Sequence, residues 1–314
     1  MARFVLRRVF GVIPLLLLVS IAVFMLITLV PGDPARAIGG PDASHADIQR
    51  ITKQYHLDRP LAVQYGYWLK DAVRLDLGES RYSHERVIDG IKERFPVTMS
   101  VVVAAAIVAL LIGIPFGLVA GIRPGHGVDN VARITAGIGL SLPNFVLAII
   151  LVILLGVERQ WLPILGFTRF TDNPWEWARH VLLPAVTLGG VLGSVMIRQL
   201  RAAMIDVLDS NYVRAAWARG GTPKRVVMQH ALKNAAMPAV TVFGLQIAGL
   251  LGGAVIVEQI FSIPGIGPYI LTGIVGRDVP VVQAVTLLFV VCQTVVSMGI
   301  DISYGLLNPK IRVS

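Results

Sequence analysis

The sequence has little charge and almost no cysteine. Only 15% of its 314 residues are charged, against about 25% in soluble domains, so the composition argues against an ordinary globular protein. The single cysteine, Cys292, has no partner for an internal disulfide. The chain contains no Gly-Lys dipeptide, no HExxH and no G-x-S-x-G, which excludes a P-loop and the other sites that these patterns mark. If ATP powers this protein, a different chain must hydrolyse it.

Long runs of apolar residues make up much of the sequence. Hydrophobic residues make up 55% of the chain, and the mean hydropathy is +0.71. A helix needs roughly 20 apolar residues to cross a ~30 Å hydrocarbon core. Six runs approach or exceed that length, and they cover residues 9–32, 95–122, 134–157, 181–197, 234–257 and 279–300. We therefore predict an all-α membrane protein with about six transmembrane helices. The first run is longer than the apolar core of a signal peptide and is predicted to stay uncleaved.

The distribution of charge predicts the orientation. Excess Lys and Arg fall on the N-terminal tail, the C-terminal tail and the 123–133 and 198–233 loops, whereas acidic and basic residues balance in the remaining segments. Basic loops stay on the cytoplasmic side of a membrane. Both termini and the 198–233 loop are therefore expected in the cytoplasm. The net charge of +9 is explained by orientation and requires no nucleic acid.

The chain is expected to divide into three parts. Residues 1–30 form the first transmembrane helix, residues 31–94 a small helical extracytoplasmic insertion, and residues 95–314 a core with five transmembrane helices and a cytoplasmic loop at 206–235. Within the insertion, Ser44 and Asp47 have the spacing of a capping box and predict the start of a first helix. Pro60 is placed to start a second helix, and Ser83 is placed to start a third helix that ends by Pro96.

Gly113, Gly117 and Gly121 form a narrow helix face for packing, either inside the chain or against a second subunit.

The most informative segment lies between the fourth and fifth runs. It reads NYVRAAWARGGTPKRVVMQHALKNA over residues 211–235. An Ala-rich stretch predicts a short helix, and Gly220 predicts that this helix ends at a residue with left-handed backbone conformation. Thr222 with Pro223 predict the start of a second short helix that reaches about His230. Such a helix–glycine–helix element in a cytoplasmic loop would form a compact knob.

This segment resembles the EAA loop of ABC importer permeases, in the variant of the dipeptide/oligopeptide permease family. Arg214 stands where the general motif has Glu, and Lys233 where many families have Pro; both resemble the peptide-permease variant. Further resemblances follow in order along the whole chain, at residues 31–34, 77–80, 93–98, 141–143, 161–163, 183–185, 264–267, 277–283 and 308–312.

The resemblance implies the type I ABC importer permease fold and a pore subunit rather than an enzyme. In that family the EAA loop fits a groove on the ATPase, which makes the following residues candidates for coupling: Tyr212, Arg214, Ala215, Ala216, Arg219, Gly220, Pro223, His230 and Asn234. The implied partners are a second homologous permease, two ATP-binding subunits that hold ATP and Mg²⁺, an extracytoplasmic substrate-binding protein and the lipid bilayer of the inner membrane. This chain itself is expected to bind no cofactor or metal.

Two acidic residues lie within the apolar runs. An ionisable side chain is costly in lipid and usually faces the protein interior, so Glu258 and Asp301 are candidates for the translocation path or a gate. Each is also explained by a structural ion pair or hydrogen bond. The cargo implied by the resemblance is di- or oligopeptides, with glutathione, nickel chelates and sugars as alternatives. An ion-coupled secondary transporter or a membrane assembly factor would not need the 211–235 segment.

Overall fold

The computed structural model describes residues 2–26, 33, 35–36, 40 and 43–307. Within these residues the regular structure is helical, and a single isolated β-bridge joins Glu79 to Arg86. The helices are α1 (Ala2–Met25), α2 (His45–Gln54), α3 (Leu61–Val73), α4 (Val87–Ile122), α5 (Gly127–Ser141), α6 (Asn144–Leu151), α7 (Pro174–Leu208), α8 (Asn211–Ala218), α9 (Pro223–Arg225), α10 (Leu232–Ile260), α11 (Ile266–Val275) and α12 (Val279–Leu307). A π-helical stretch, Val152–Glu158, extends α6, and a second, Val226–Ala231, joins α9 to α10.

Three of the described helices are long and apolar enough to cross a bilayer, over Val87–Ile122, Pro174–Leu208 and Val279–Ile300. Up to five spans result if each of two bent helix pairs counts as one. The apolar run 181–197, which is shorter than the roughly 20 residues a span requires, lies inside α7, and α7 is 35 residues long and therefore has ample length to cross. An all-helical membrane fold is confirmed.

The chain divides into two compact units. The first contains residues 1–98 and 264–298, and its core is formed by α4, α11 and α12 through Val87, Ile91, Ile266, Val281, Ala284 and Val285. Buried polar contacts strengthen this unit. The carboxylate of Asp278, which is 2% exposed, accepts hydrogen bonds from the Ser80 hydroxyl at 2.7 Å and the Arg81 backbone N–H at 2.9 Å.

The small helices before α4 follow the predicted starts. Ser44 caps α2 in a capping box with Asp47, and Pro60 immediately precedes α3. The third predicted helix differs, because α4 begins at Val87 and continues past Pro96 to Ile122. The expectation that this helix ends by Pro96 was wrong. Proline breaks helices in water, but a helix supported by neighbouring helices in a membrane tolerates it.

In the second unit, which contains residues 99–263 and 299–311, the glycine face packs α4 directly against α7. A Cβ atom built on Gly113 would lie 2.4 Å from the Cβ of Met196, and one on Gly121 would lie 2.5 Å from the Cβ of Met204. Gly117 meets Leu200 in the same way, at 3.0 Å. The helix backbones can approach this closely only without side chains at the glycines. Packing inside the chain therefore accounts for this face.

The third apolar run is broken in the middle. The axes of α5 and of α6 with its π-helical extension differ by 106°, and the break falls at Leu142 and Pro143, which both have extended backbone conformations. A proline disfavours helical geometry in the residue before it, so α5 ends at Ser141. The run over 134–157 was predicted as one span and is instead two helices with a sharp bend.

Candidate functional site

The 211–235 segment contains the predicted first helix, the glycine turn and the start of a second helix. We call residues 211–234 the knob: it contains α8, a turn at Gly220 and Gly221, α9, the π-helical stretch and the start of α10. Only Asp209 and Ser210 separate α8 from the end of α7. The knob is therefore attached tightly to the helix that precedes it.

The turn after α8 is a Schellman motif. The backbone N–H of Gly221 donates to the Ala216 carbonyl at 3.2 Å, and that of Gly220 donates to the Trp217 carbonyl at 2.9 Å. These two bonds satisfy carbonyls at the end of the helix. Gly220 has φ +77° with open space where a side chain would be, so its requirement for glycine comes from backbone conformation. The predicted left-handed end of the helix is confirmed.

The second half of the knob is not a separate short helix. Thr222 is the N-cap and Pro223 the first residue, as predicted. However, the helix does not end near His230, because it passes through the π-helical turn and continues as α10 to Ile260. The prediction of a short second helix was wrong in length. The knob is therefore continuous with a long helix, with no intervening loop.

A small apolar core holds the knob together. Val213, Ala216 and Val226 are buried against one another, next to Val207 and Leu208 of α7. Ala216, one of the predicted coupling residues, thus lies inside the knob and serves its packing. The other predicted residues of the first half are exposed, and they are Tyr212, Arg214, Ala215, Arg219 and Gly220.

Polar contacts join the two halves of the knob. The side-chain amide of Asn234 donates to the Tyr212 hydroxyl and to the His230 carbonyl, both at 2.9 Å. Three residues that the sequence singled out are therefore in direct contact. Arg214 forms an ion pair with Asp209 on the surface. Since both side chains are more than half exposed, this pair contributes little stability and stays available to a partner.

Two features of the site were missed. Trp217 and Met228 expose 42% and 48% of their surface, which gives the knob an apolar outer surface between its basic residues. Asp129 of α5 is completely buried and forms an ion pair with Arg201 of α7. Trp217 stood within the quoted motif, but helical periodicity did not predict its exposure, because it lies four residues after the buried Val213 and therefore near the same face of α8. The ion pair had no local signal.

The structure describes the side chain of only one of the two acids in the apolar runs. Glu258 lies two residues before the end of α10 and is fully buried, consistent with the expectation that it faces the protein interior. Asp301 lies in α12, but its side chain is outside the described residues. A role in a pathway or gate remains a prediction for both.

The fold is that of a type I ABC importer permease. A chain of the MetNI methionine ABC transporter, solved in inward-facing conformations, superposes with a TM-score of 0.56 at 17% sequence identity, covering 69% of this chain and 96% of that one. A chain of an amino acid ABC transporter crystallised with histidines gives a TM-score of 0.52 at 15% identity, covering 75% and 96%. At this level of identity the similarity shows the fold.

The chain belongs to the family of binding-protein-dependent transport system inner membrane components. The family model matches residues 113–313, and the model of the family's N-terminal region matches residues 1–102. The glutathione transport system permease protein GsiC of Escherichia coli is 37% identical, covering 99% of both chains. The probable peptide ABC transporter permease protein y4tP of Sinorhizobium fredii is 35% identical, covering 99% of this chain and all of that one.

The family determines the class of function. This chain is an inner-membrane ABC importer permease of the peptide type, which forms a pore and is not an enzyme. Permeases of this family work with ATPase and substrate-binding partners. An ion-coupled secondary transporter and an assembly factor are thereby set aside.

Proposed function

We propose that this chain forms half of the pore of an ATP-driven importer of di- and oligopeptides, and that a second homologous permease forms the other half. Two ATP-binding subunits bind ATP and Mg²⁺, and an extracytoplasmic binding protein, periplasmic or lipid-anchored, delivers the peptide. In this arrangement the knob and both termini are cytoplasmic and residues 31–94 are outside. The positive charge of the 198–233 loop supports that orientation.

The construction of the knob carries this proposal. Its core of Val213, Ala216 and Val226 and its hydrogen-bonded turn make it a compact body. Its outer surface combines apolar and cationic side chains, Trp217 and Arg219 among them, a composition typical of protein interfaces. We propose that this surface docks on an ATPase subunit.

The same construction suggests how the pore is driven. ATP-dependent closure of the two ATPases moves the knob, and the movement reaches the membrane through α7 on one side and α10 on the other. An inward-open and an outward-open state then differ in their contacts with the ATPase, which is what allows ATP to shift their populations. ATP hydrolysis restores the inward-open state.

The names of the relatives support a peptide cargo. One is a probable peptide permease and another a glutathione permease, and glutathione is itself a modified tripeptide. We therefore propose short peptides as the cargo, with glutathione as the second candidate. Nickel chelates and sugars are the remaining alternatives.

Reconstitution tests the function and the cargo together. The complete importer, with both permeases, both ATPases and the binding protein, is placed in vesicles that contain ATP, and uptake of labelled dialanine, tetraalanine and glutathione is measured. We expect ATP-dependent uptake of the alanine peptides. A matched complex with hydrolysis-deficient ATPases should show none. Uptake of glutathione alone would replace the peptide cargo, and uptake without the ATPases would refute the proposed energy source.

A further inference from the structure

A cavity of about 180 Å³ lies in the first compact unit. It is formed by Phe24 of α1, the end of α2, one face of α3, the segment at Leu77 and Gly78, and the first residues of α12. Sites for drug-sized ligands occupy roughly 300–1,000 Å³, so this cavity has room for a small molecule or a single chemical group. No residue of the knob lines this cavity.

Two buried glutamines present hydrogen-bond acceptors here. Gln64 and Gln283 line the cavity and are 8% and 6% exposed. The Nε2 of Gln64 donates to two backbone carbonyls at 2.7 and 3.3 Å, and the Nε2 of Gln283 donates to two others at 3.2 Å. A carbonyl can only accept, so these contacts fix which end of each amide is the nitrogen. No donor among the described residues reaches either Oε1, which leaves two oriented acceptors for a ligand.

The charge of the cavity is negative. The carboxylates of Asp71 and Asp76 line it, and the described lining residues include no Lys or Arg. Burial raises the pKa of the Tyr55 phenol, another lining residue, and the nearby carboxylates of Glu79, Asp76 and Asp278 raise it further. His56, the one imidazole among the described lining residues, is stacked on the Tyr67 ring with centroids 4.0 Å apart.

The remaining wall is aromatic. Trp68 and Phe24 line the cavity, with ring centroids 5.8 Å apart. The faces of aromatic rings attract cations, and Trp does so most strongly. Acceptors, carboxylates and aromatic faces together select a ligand that is positively charged, donates hydrogen bonds and is small.

We propose that this cavity is a binding site for a primary ammonium group. The amide oxygens of Gln64 and Gln283 accept from the ammonium N–H groups, the exposed carboxylates of Asp71 and Asp76 supply the opposing negative charge, and Trp68 covers its alkyl carbon atoms. Two sources share this chemistry: a soluble amine, such as the free amino terminus of a short peptide, and the ethanolamine headgroup of a phospholipid. The site does not depend on the proposed cargo, because binding can be measured without transport.

Ligand-observed NMR on the full-length chain in lipid nanodiscs tests the proposal, with ethylammonium as the probe and ethanol as its neutral counterpart. Discs of phosphatidylcholine and phosphatidylglycerol form one arm, and discs that also contain phosphatidylethanolamine form the other. We expect saturable binding of ethylammonium and none of ethanol in the first arm. Competition by phosphatidylethanolamine in the second arm would identify the lipid headgroup as the occupant, and its absence would identify a soluble amine.

Charge-neutralising variants localise the site. Asp71→Asn and Asp76→Asn keep the side-chain shape and should each weaken ethylammonium binding about tenfold, because one of the two opposing negative charges is lost. Glu93→Gln is the matched control, an exposed acid outside the cavity, and should bind like wild type. Trp68→Leu provides a variant that changes no charge and should also weaken binding. The proposal is overturned if wild type shows no saturable binding in either arm, or if Asp71→Asn, Asp76→Asn and Trp68→Leu bind as wild type does.

Discussion

Asp129 and Arg201 form a two-point ion pair that joins α5 to α7 across 72 positions of sequence. The Arg201 Nε donates to one carboxylate oxygen, and its Nη2 donates to the other at 2.8 Å. The Gly125 backbone N–H adds a third bond to the same carboxylate at 2.9 Å. The Asp129 side chain is 1% exposed and that of Arg201 24%. The pair therefore fixes the first turn of α5, and the Gly125 turn before it, against the helix that leads to the knob.

Asp129→Ala should destabilise the protein by about 3 kcal/mol, because removing one partner of a buried pair leaves the other charge uncompensated. The measurement is thermal or denaturant unfolding of the purified permease in detergent. Asp206→Ala is the control, since Asp206 is an exposed acid on the same helix α7. In a double-mutant cycle, Asp129→Ala with Arg201→Ala should lose clearly less than the sum of the single losses. Equal stability of Asp129→Ala and Asp206→Ala would contradict a stabilising role for the pair.

The packing of α4 on α7 predicts a sharp contrast between glycines. Gly113→Ala and Gly121→Ala should each cost about 1–3 kcal/mol, because the added methyl group would overlap the Cβ atoms of Met196 and Met204. Gly137→Ala is the control, since Gly137 is helical with nothing within 4 Å of an added Cβ, and alanine there should be neutral or stabilising by up to about 1 kcal/mol. Unfolding midpoints of the three variants check this. A loss at Gly137 equal to those at the other two would mean that close helix contact is not the cause.

Local signals in the sequence predicted local structure well. The capping box at Ser44, the helix end at Gly220 and the helix start at Thr222 each depend on a few neighbouring residues, and each was identified from them. Contacts between distant segments had no such signal. Asp129 looked like one charge in a basic loop, and only the fold brings Arg201 to it. Pro96 was misinterpreted because the rule that proline ends helices holds for helices in water.

The cavity and the bend at Pro143 show the same limitation. The cavity requires Gln64 and Gln283 to line the same space, and the 218 intervening residues give no pattern that predicts it. The bend was hidden because hydropathy measures how apolar a run is and not whether its helix is continuous. Among the coupling residues, the sequence identified the segment, but the fold determined that Ala216 is buried and that Tyr212 contacts Asn234.

The proposed orientation predicts which positions react with a membrane-impermeant thiol reagent. In a Cys292→Ala background, Ala46→Cys in α2 should be labelled in intact cells, and Ala218→Cys in the knob only after permeabilisation. Both positions are exposed. Ala46 is a better labelling position than its neighbour Ser44, because Ser44 caps α2 and replacing it would destabilise the helix by about 1 kcal/mol. Labelling of position 218 in intact cells, or of position 46 only after permeabilisation, would contradict the proposed orientation.

Gly220 provides the most direct test of the knob. At φ +77° a β-branched residue is strained by about 1–3 kcal/mol, whereas asparagine tolerates the same conformation. Since nothing lies within 4 Å of an added Cβ, Gly220→Val changes the backbone of the turn without a steric clash. We expect it to insert and to assemble with its partner permease, but to lose either ATPase docking or the coupling of ATP turnover to uptake. Gly220→Asn should retain most of both activities.

Gly166→Val is the matched control for this strain. Gly166 also has positive φ, at +94°, and its nearest neighbour would be 3.9 Å from an added Cβ, but it lies outside the knob. Uptake and ATPase activity are measured side by side in reconstituted vesicles for all three variants. If strain alone were harmful, Gly166→Val and Gly220→Val would lose activity equally. If Gly220→Val coupled ATP to uptake as wild type does, the turn would be only a connection between helices. Loss of coupling in Gly220→Val alone is the result that a force-transmitting knob requires.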